Sequence, residues 1–207
     1  KDEEQKRFLP EETPYLHTKL VEAFKHRKSN YFKGIPPYNG QDGPSSWQFC
    51  KDLYGEGDEK HLTFSNALIN DNYKHFVSDI VPLFEQKDVV LISNKNSKFD
   101  KLPFKVKKHF PVGPNCMKDD YYLIDACKHW IKENNIENHL FLFAAASLSN
   151  FLCYELYKDF DKNQYMDIGS ALGPYLQLEG WKAMRTYLKT YWANPQKPPP
   201  QDVDLWN

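Results

Sequence analysis

The chain has 207 residues, 41% of them hydrophobic and 15% aromatic, and its 27 Lys and Arg against 28 Asp and Glu leave a formal net charge of −1. This composition predicts a packed globule and excludes a disordered chain, while the balanced charge leaves no electrostatic footprint for nucleic acid or an anionic membrane. No apolar run approaches the roughly 20 residues needed to span a bilayer.

The first residues, KDEEQKR, are charged and without pattern, and the start at Lys1 rather than Met reads as the edge of a longer, multidomain polypeptide. Thr13-Pro14 predicts a helix start, and Leu16, Leu20 and Phe24 carry that helix to about Arg27. Tyr31 to Ile35 predicts a short strand closed by Pro36-Pro37 and the Asn39-Gly40 turn. Gly40 to Lys60 reads as a loop around a short helical stretch, Trp47 to Tyr54, before a second strand at Leu62 to Phe64. Three asparagines, Asn66, Asn70 and Asn72, precede a helix face of Tyr73, Phe76, Val77, Ile80 and Phe84, which Pro82 should kink or shorten.

Val89 to Ile92 is a continuous apolar run, expected as a buried strand that exits into Ser93-Asn94-Lys95-Asn96, and Phe104 to Phe110 is a further strand candidate. Gly113-Pro114 turns the chain, Asn115 can cap, and Leu123, Cys127, Trp130 and Ile131 predict a helix ending near Asn134 and Asn135. His139 to Ser170 then reads as one βαβ unit. Leu140 to Ala144 is its first strand, Ser147 the helix cap, Leu148, Phe151, Leu152 and Leu156 one helix face, and Gln164 to Ile168 the second strand. A last helix is expected on Trp181, Met184, Leu188 and Tyr191. The alternation predicts an α/β fold, a three-layer Rossmann-like domain with a mostly parallel central sheet, over residues 1–194, followed by a proline-rich tail over 195–207.

In such sheets ligands sit beyond the carboxyl ends of the strands, so Ala145 to Asn150 and Asp167 to Ser170 are expected to face one crevice. Asp167 could accept from a sugar or ribose hydroxyl or act as a general base, or form an Asx turn with its own backbone. The backbone at Ser147 to Asn150 could hold a phosphate at a helix start, or Ser147 could simply cap.

Neither G-x-G-x-x-G nor the P-loop pattern occurs, which argues against hydride transfer and ATP hydrolysis. Asp159-Phe160-Asp161 mimics a metal-binding D-x-D but ends a helix, and it reads as solvated. The Lys95 to Lys108 basic stretch could steer a diphosphate, although such a run more often protects a strand edge. Cys50, Cys116, Cys127 and Cys153 lack any ligand or redox spacing, so free reduced thiols and a cytoplasmic setting are expected.

Several segments together resemble the GT-D-type glycosyltransferases and their relatives in polysaccharide and viral glycan clusters. They are NYFKGIPPY, NALINDNYKHF, FPVGPNCMKDDY, FLFAAASLSN and MDIGSALGP, in this order along most of the chain. The resemblance implies transfer of a sugar from a nucleotide-sugar donor to an acceptor hydroxyl on a glycan, with Mn2+ or Mg2+ as the donor's counter-ion. It places Asn70, Asn72, Ser93, Asn94, Ala145, Ser147, Ser149, Asn150, Gly169 and Ser170 around the donor, with Asp167 catalytic. The chain departs from the family at Ala146-Ser147, where Gly-Pro is usual, and at Gly173, where an acid is usual. The family's metal-binding D-x-E is not found and would lie before Lys1. Without it the domain would be metal-independent, or a non-catalytic sugar- or nucleotide-binding module of a larger glycan-building protein.

Overall fold

The structure, a computed structural model, describes residue 11 and residues 13–38, 43–57 and 59–178. The helix expected from Trp181 and the proline-rich tail lie outside the described residues. Among these, Phe24–Asp79 forms one compact unit, and the segments before Phe24 and after Asp79 form the other.

Helix α1 (Pro14–Lys25) opens on proline, whose fixed φ and missing N–H suit a first helical turn. Its Leu16 and Leu20 pack on the core of the larger unit. In the smaller unit, strand β1 (Lys33–Ile35) is followed by helix α2 (Gly43–Tyr54), longer than the sequence suggested because Pro44 occupies the first turn. Strand β2 (Leu62–Phe64) pairs in parallel with β1, so these two strands form a small sheet of their own. Gly34 eases the close pairing there, since a Cβ would lie 3.0 Å from the Ser65 Cα. Arg27 ties the unit together, donating to the carbonyls of Tyr54 and Glu56 while its guanidinium lies 4.7 Å from the centre of the Tyr54 ring.

The segment from Asn70 to Gln86 corrects an expectation. In place of one amphipathic helix it forms a 3₁₀ turn (Asn70–Asn72), a single helical turn, a π turn (Phe76–Ile80) and another 3₁₀ stretch (Val81–Gln86). Pro82 lacks the N–H that would continue an α ladder, so the winding changes where it enters.

The larger unit is built on four parallel strands, β3 (Val89–Asn94), β4 (Val106–Val112), β5 (Leu140–Phe143) and β6 (Gln164–Asp167), in spatial order β4-β3-β5-β6. The strand expected from Phe104 starts instead at Val106, and Phe104 is buried with its ring edge-on to Phe84. Proline at 111 is tolerated because β4 is an edge strand.

Helices α3 (Leu123–Glu133) and α4 (Leu148–Asp159) pack with one face of this sheet. Because strand side chains alternate, Val90 and Ile92, Phe110 and Val112, Phe141 and Phe143, and Tyr165 meet that layer. Tyr165 stacks on Phe143 at 6.3 Å, Phe141 meets Trp130, and Trp130 meets Phe110 edge-on. Leu148, Leu152 and Leu156, one turn apart on α4, are fully buried. Each such side chain contributes roughly 1.5–3 kcal/mol of burial. The helices form where the apolar spacing is 3.6 and the strands where whole runs are apolar, which is the pattern of a sheet covered on both faces.

Candidate functional site

The chain leaves β3 to form β4 on one side, then returns past β3 to form β5 on the other. The direction of connection reverses between β3 and β5, and in open parallel sheets the loops beyond the strands separate at such a point. The Ala144 N–H, bonded to the Ile92 carbonyl at 2.8 Å, is the last tie between the two strands. Beyond it lie Ser93 to Asn96 on one side and Ala145 to Asn150 on the other, with the end of β6 next to β5.

The turn into α4 is tight. Ala146 takes φ +44°, a left-handed conformation that costs a residue with a Cβ. The N–H groups of Leu148, Ser149 and Asn150 bond the carbonyls of Ala145, Ala146 and Ser147 at 3.0 to 3.2 Å, closing a 3₁₀-like first turn. This corrects two expectations at once. Ser147 has helical φ and ψ and makes no side-chain cap bond, and three of the N–H groups expected to face a phosphate are engaged within the helix. Asn115, the other expected cap, also makes no side-chain cap bond.

Ser149 takes over the organising role. Its side chain is fully buried, its Oγ accepts the Ala145 N–H at 3.0 Å, and the hydroxyl helps to hold the nearby Asp167 carboxyl in its charged form. The exits of β5 and β6 therefore lie close to one hydroxyl. Asp167 Oδ1 also accepts the Gly169 N–H at 2.9 Å, so the Asx turn is present, with Gly169 at φ +47°. The register Phe143↔Asp167 turns the carboxylate toward the α3–α4 layer, beside the start of α4.

Asp167 is an exposed residue at the end of β6, yet the neighbouring chain crowds its carboxyl enough to disfavour the charge. This crowding pushes its pKa up to about 6, against the pull of the Gly169 N–H and the Ser149 hydroxyl. An accessible carboxylate whose pKa is raised toward neutrality can bind a hydroxyl or exchange a proton with one. The Cys153 thiol lies against the Asp167 backbone, and burial first and the nearby carboxylate second hold its pKa well above the ordinary value. Burial likewise pushes Cys127 up to about 12, so neither thiol is an activated nucleophile. Cys116 is buried and donates its S–H to the Ala145 carbonyl at 3.2 Å, supporting the same turn from below.

Of the residues singled out in the sequence, Ala145 is hydrogen-bonded to Ser149 and Gly169 to Asp167, and the Ser149 hydroxyl acts on the Asp167 carboxyl. Ser147 and Asn150 lie in the turn above them, and Ser170 follows Gly169. Asn94 ends β3 on the same face, its Oδ1 accepting the Asn96 N–H at 2.8 Å. Ser93 points to the opposite face, where it meets Ser97 and His109. Asn70 and Asn72 belong to the smaller unit, in its 3₁₀ turn, where Asn70 takes φ +54°.

Asp159 bonds Lys128 at 2.7 Å, as a helix-end carboxylate. Sequence reasoning missed Cys116, Cys153 and His109, because nothing in their spacing marks them; only strand pairing and helix packing bring them to these positions. Among the described residues no group of three or more His, Cys, Asp or Glu could hold a metal ion, and no helix is long and apolar enough to cross a membrane. The residues around Asp167 do not suit Mn2+ or Mg2+, since its partners are a hydroxyl, a backbone N–H and a protonated thiol. Comparison with protein-family models, curated proteins and solved structures finds no match to this chain.

Proposed function

We propose that this chain is a glycosyltransferase domain that binds a nucleotide-sugar donor beyond the ends of β3, β5 and β6 and passes the sugar to an acceptor hydroxyl on a glycan. The observation that carries the reading is the Asp167 carboxylate, exposed, held by the Gly169 N–H and with its pKa pushed up to about 6, at the end of the strand beside β5. Above that pH it is ionised and basic enough to take the proton of a hydroxyl as its oxygen attacks the anomeric carbon. The bond from the anomeric carbon to the phosphate oxygen then breaks, and the nucleoside diphosphate leaves. The α4 dipole, with its positive end at Ser147 and Leu148, opposes the charge that develops on the leaving group. The resemblance of MDIGSALGP to the family segment supports the same assignment. No step is routed through a metal.

The fixed geometry of Asp167 also favours a second reading, a sugar- or nucleotide-binding module without chemistry. A carboxylate oriented by the Gly169 N–H is suited to hold a ligand hydroxyl in place. Incubation with a panel of nucleotide sugars and a glycan acceptor separates the two. The transferase reading expects release of nucleoside diphosphate by the native chain, falling at least tenfold in Asp167→Asn. Binding without release would favour the module.

A further inference from the structure

On the face of the sheet opposite Asp167, three side chains from β3, the loop after it and β4 form a chain that the nucleotide-sugar reading does not use. Ser93 Oγ lies 3.0 Å from Ser97 Oγ and 3.1 Å from His109 Nε2. Ser93 is fully buried, whereas Ser97 and His109 each keep part of their surface in solvent. The Phe99 ring packs edge-on against the imidazole with centres 4.9 Å apart, fixing its plane. The order is thus an accessible hydroxyl, a buried hydroxyl and an imidazole, all at hydrogen-bond separation.

We propose that Ser97 is a nucleophilic serine, activated through Ser93 by His109, and that it takes the acyl group of small carboxylic esters carrying a negative charge. Ser97 Oγ bonds to the carbonyl carbon while its proton passes to Ser93 Oγ and the Ser93 proton passes to His109 Nε2. The tetrahedral adduct collapses by breaking the bond to the alkoxide, which receives the proton back along the same chain. Water then repeats the sequence on the acyl-serine, releasing the acid and restoring Ser97.

Two observations support this direction of proton flow, and a third supports the charge of the ester. Burial lowers the His109 pKa, so the ring is neutral and able to accept at neutral pH. Once protonated, Nε2 can also donate to the Ser93 carbonyl, 3.3 Å away, which stabilises the imidazolium that forms. Lys95 and Lys98 are exposed on either side of Ser97, and their charge favours an anionic ester.

The test uses a fluorophosphonate, which forms a stable adduct only with an activated serine, followed by peptide mass spectrometry. Wild type is expected to carry one adduct, on Ser97, and Ser97→Ala none. Labelling should slow about 10²- to 10⁴-fold in His109→Gln, the range lost with a general base. Ser93→Ala, which interrupts the chain while leaving the imidazole, should slow labelling by a similar factor. Melting curves confirm that each variant is folded. Hydrolysis of a p-nitrophenyl ester bearing a carboxylate should exceed that of its neutral analogue at low salt. No adduct, an adduct elsewhere, or Ser97 labelling at the wild-type rate in folded His109→Gln overturns the proposal.

Discussion

Asp167 is held in surroundings that oppose its charged form. Its pKa, about 3.9 in an unfolded chain, is pushed up to about 6 in the fold. The native state therefore holds this proton more tightly than the unfolded state. As pH rises from about 4 to about 6 the chain loses stability at this site, and above 6 the whole cost of the ionised form remains. Asp167→Asn should raise the melting temperature relative to wild type at pH 7.5, and the gain should shrink toward zero near pH 4; thermal melts across that range check it.

Ala146 tests the turn independently. Gly at φ +44° avoids the clash of the Cβ, so Ala146→Gly should stabilise the chain by about 0.5–1 kcal/mol in urea denaturation. Ser149→Ala leaves the Ala145 N–H without its acceptor in a buried place. It should cost about 1–3 kcal/mol. It should also raise the Asp167 pKa further, because a hydroxyl that helps to hold the charged form is lost, and nuclear magnetic resonance titration of that carboxyl carbon reads the shift.

Elements with strong patterns were legible, and those whose form depends on distant contacts were not. Val89 to Ile92 and Leu140 to Phe143 are apolar runs too short for helices and lie at the centre of the sheet. The 148, 152, 156 row on α4 was readable for the same reason, and all three leucines are fully buried. Leu152→Ala should therefore cost about 2–5 kcal/mol, the range for a leucine cavity in a packed core, by chemical denaturation. The stretch from Tyr73 to Gln86 has helical spacing yet winds as π and 3₁₀ turns, since spacing records which residues are buried and not which carbonyl each N–H meets. The caps failed for a related reason. Ser147 and Asn115 are good cap types, but the turns before their helices leave both without a side-chain cap bond.

At the scale of the whole molecule, alternation of apolar runs and amphipathic segments specified a parallel α/β sheet. It did not specify that β1 and β2 would pair apart from the other four strands. Strand order is set by which edges meet, and no local pattern encodes that. The order β4-β3-β5-β6 is what creates the switch point and brings Ser149 of α4 to Asp167 of β6. The position of Asp167 at a strand exit was readable from the sequence, but its link through Ser149 to the turn after β5 was not.

Binding of a nucleotide-sugar through Asp167 beyond the strand ends is the proposal on which the transferase reading stands. Isothermal titration of nucleoside diphosphates and their sugars, with manganese present, into wild type and Asp167→Ala tests it most directly. Binding to wild type and a ten- to hundredfold weaker affinity in the variant are expected, the loss of about 1.5–3 kcal/mol from one hydrogen bond to a charged group. No binding to wild type at millimolar ligand, or equal affinity in folded Asp167→Ala, would contradict it.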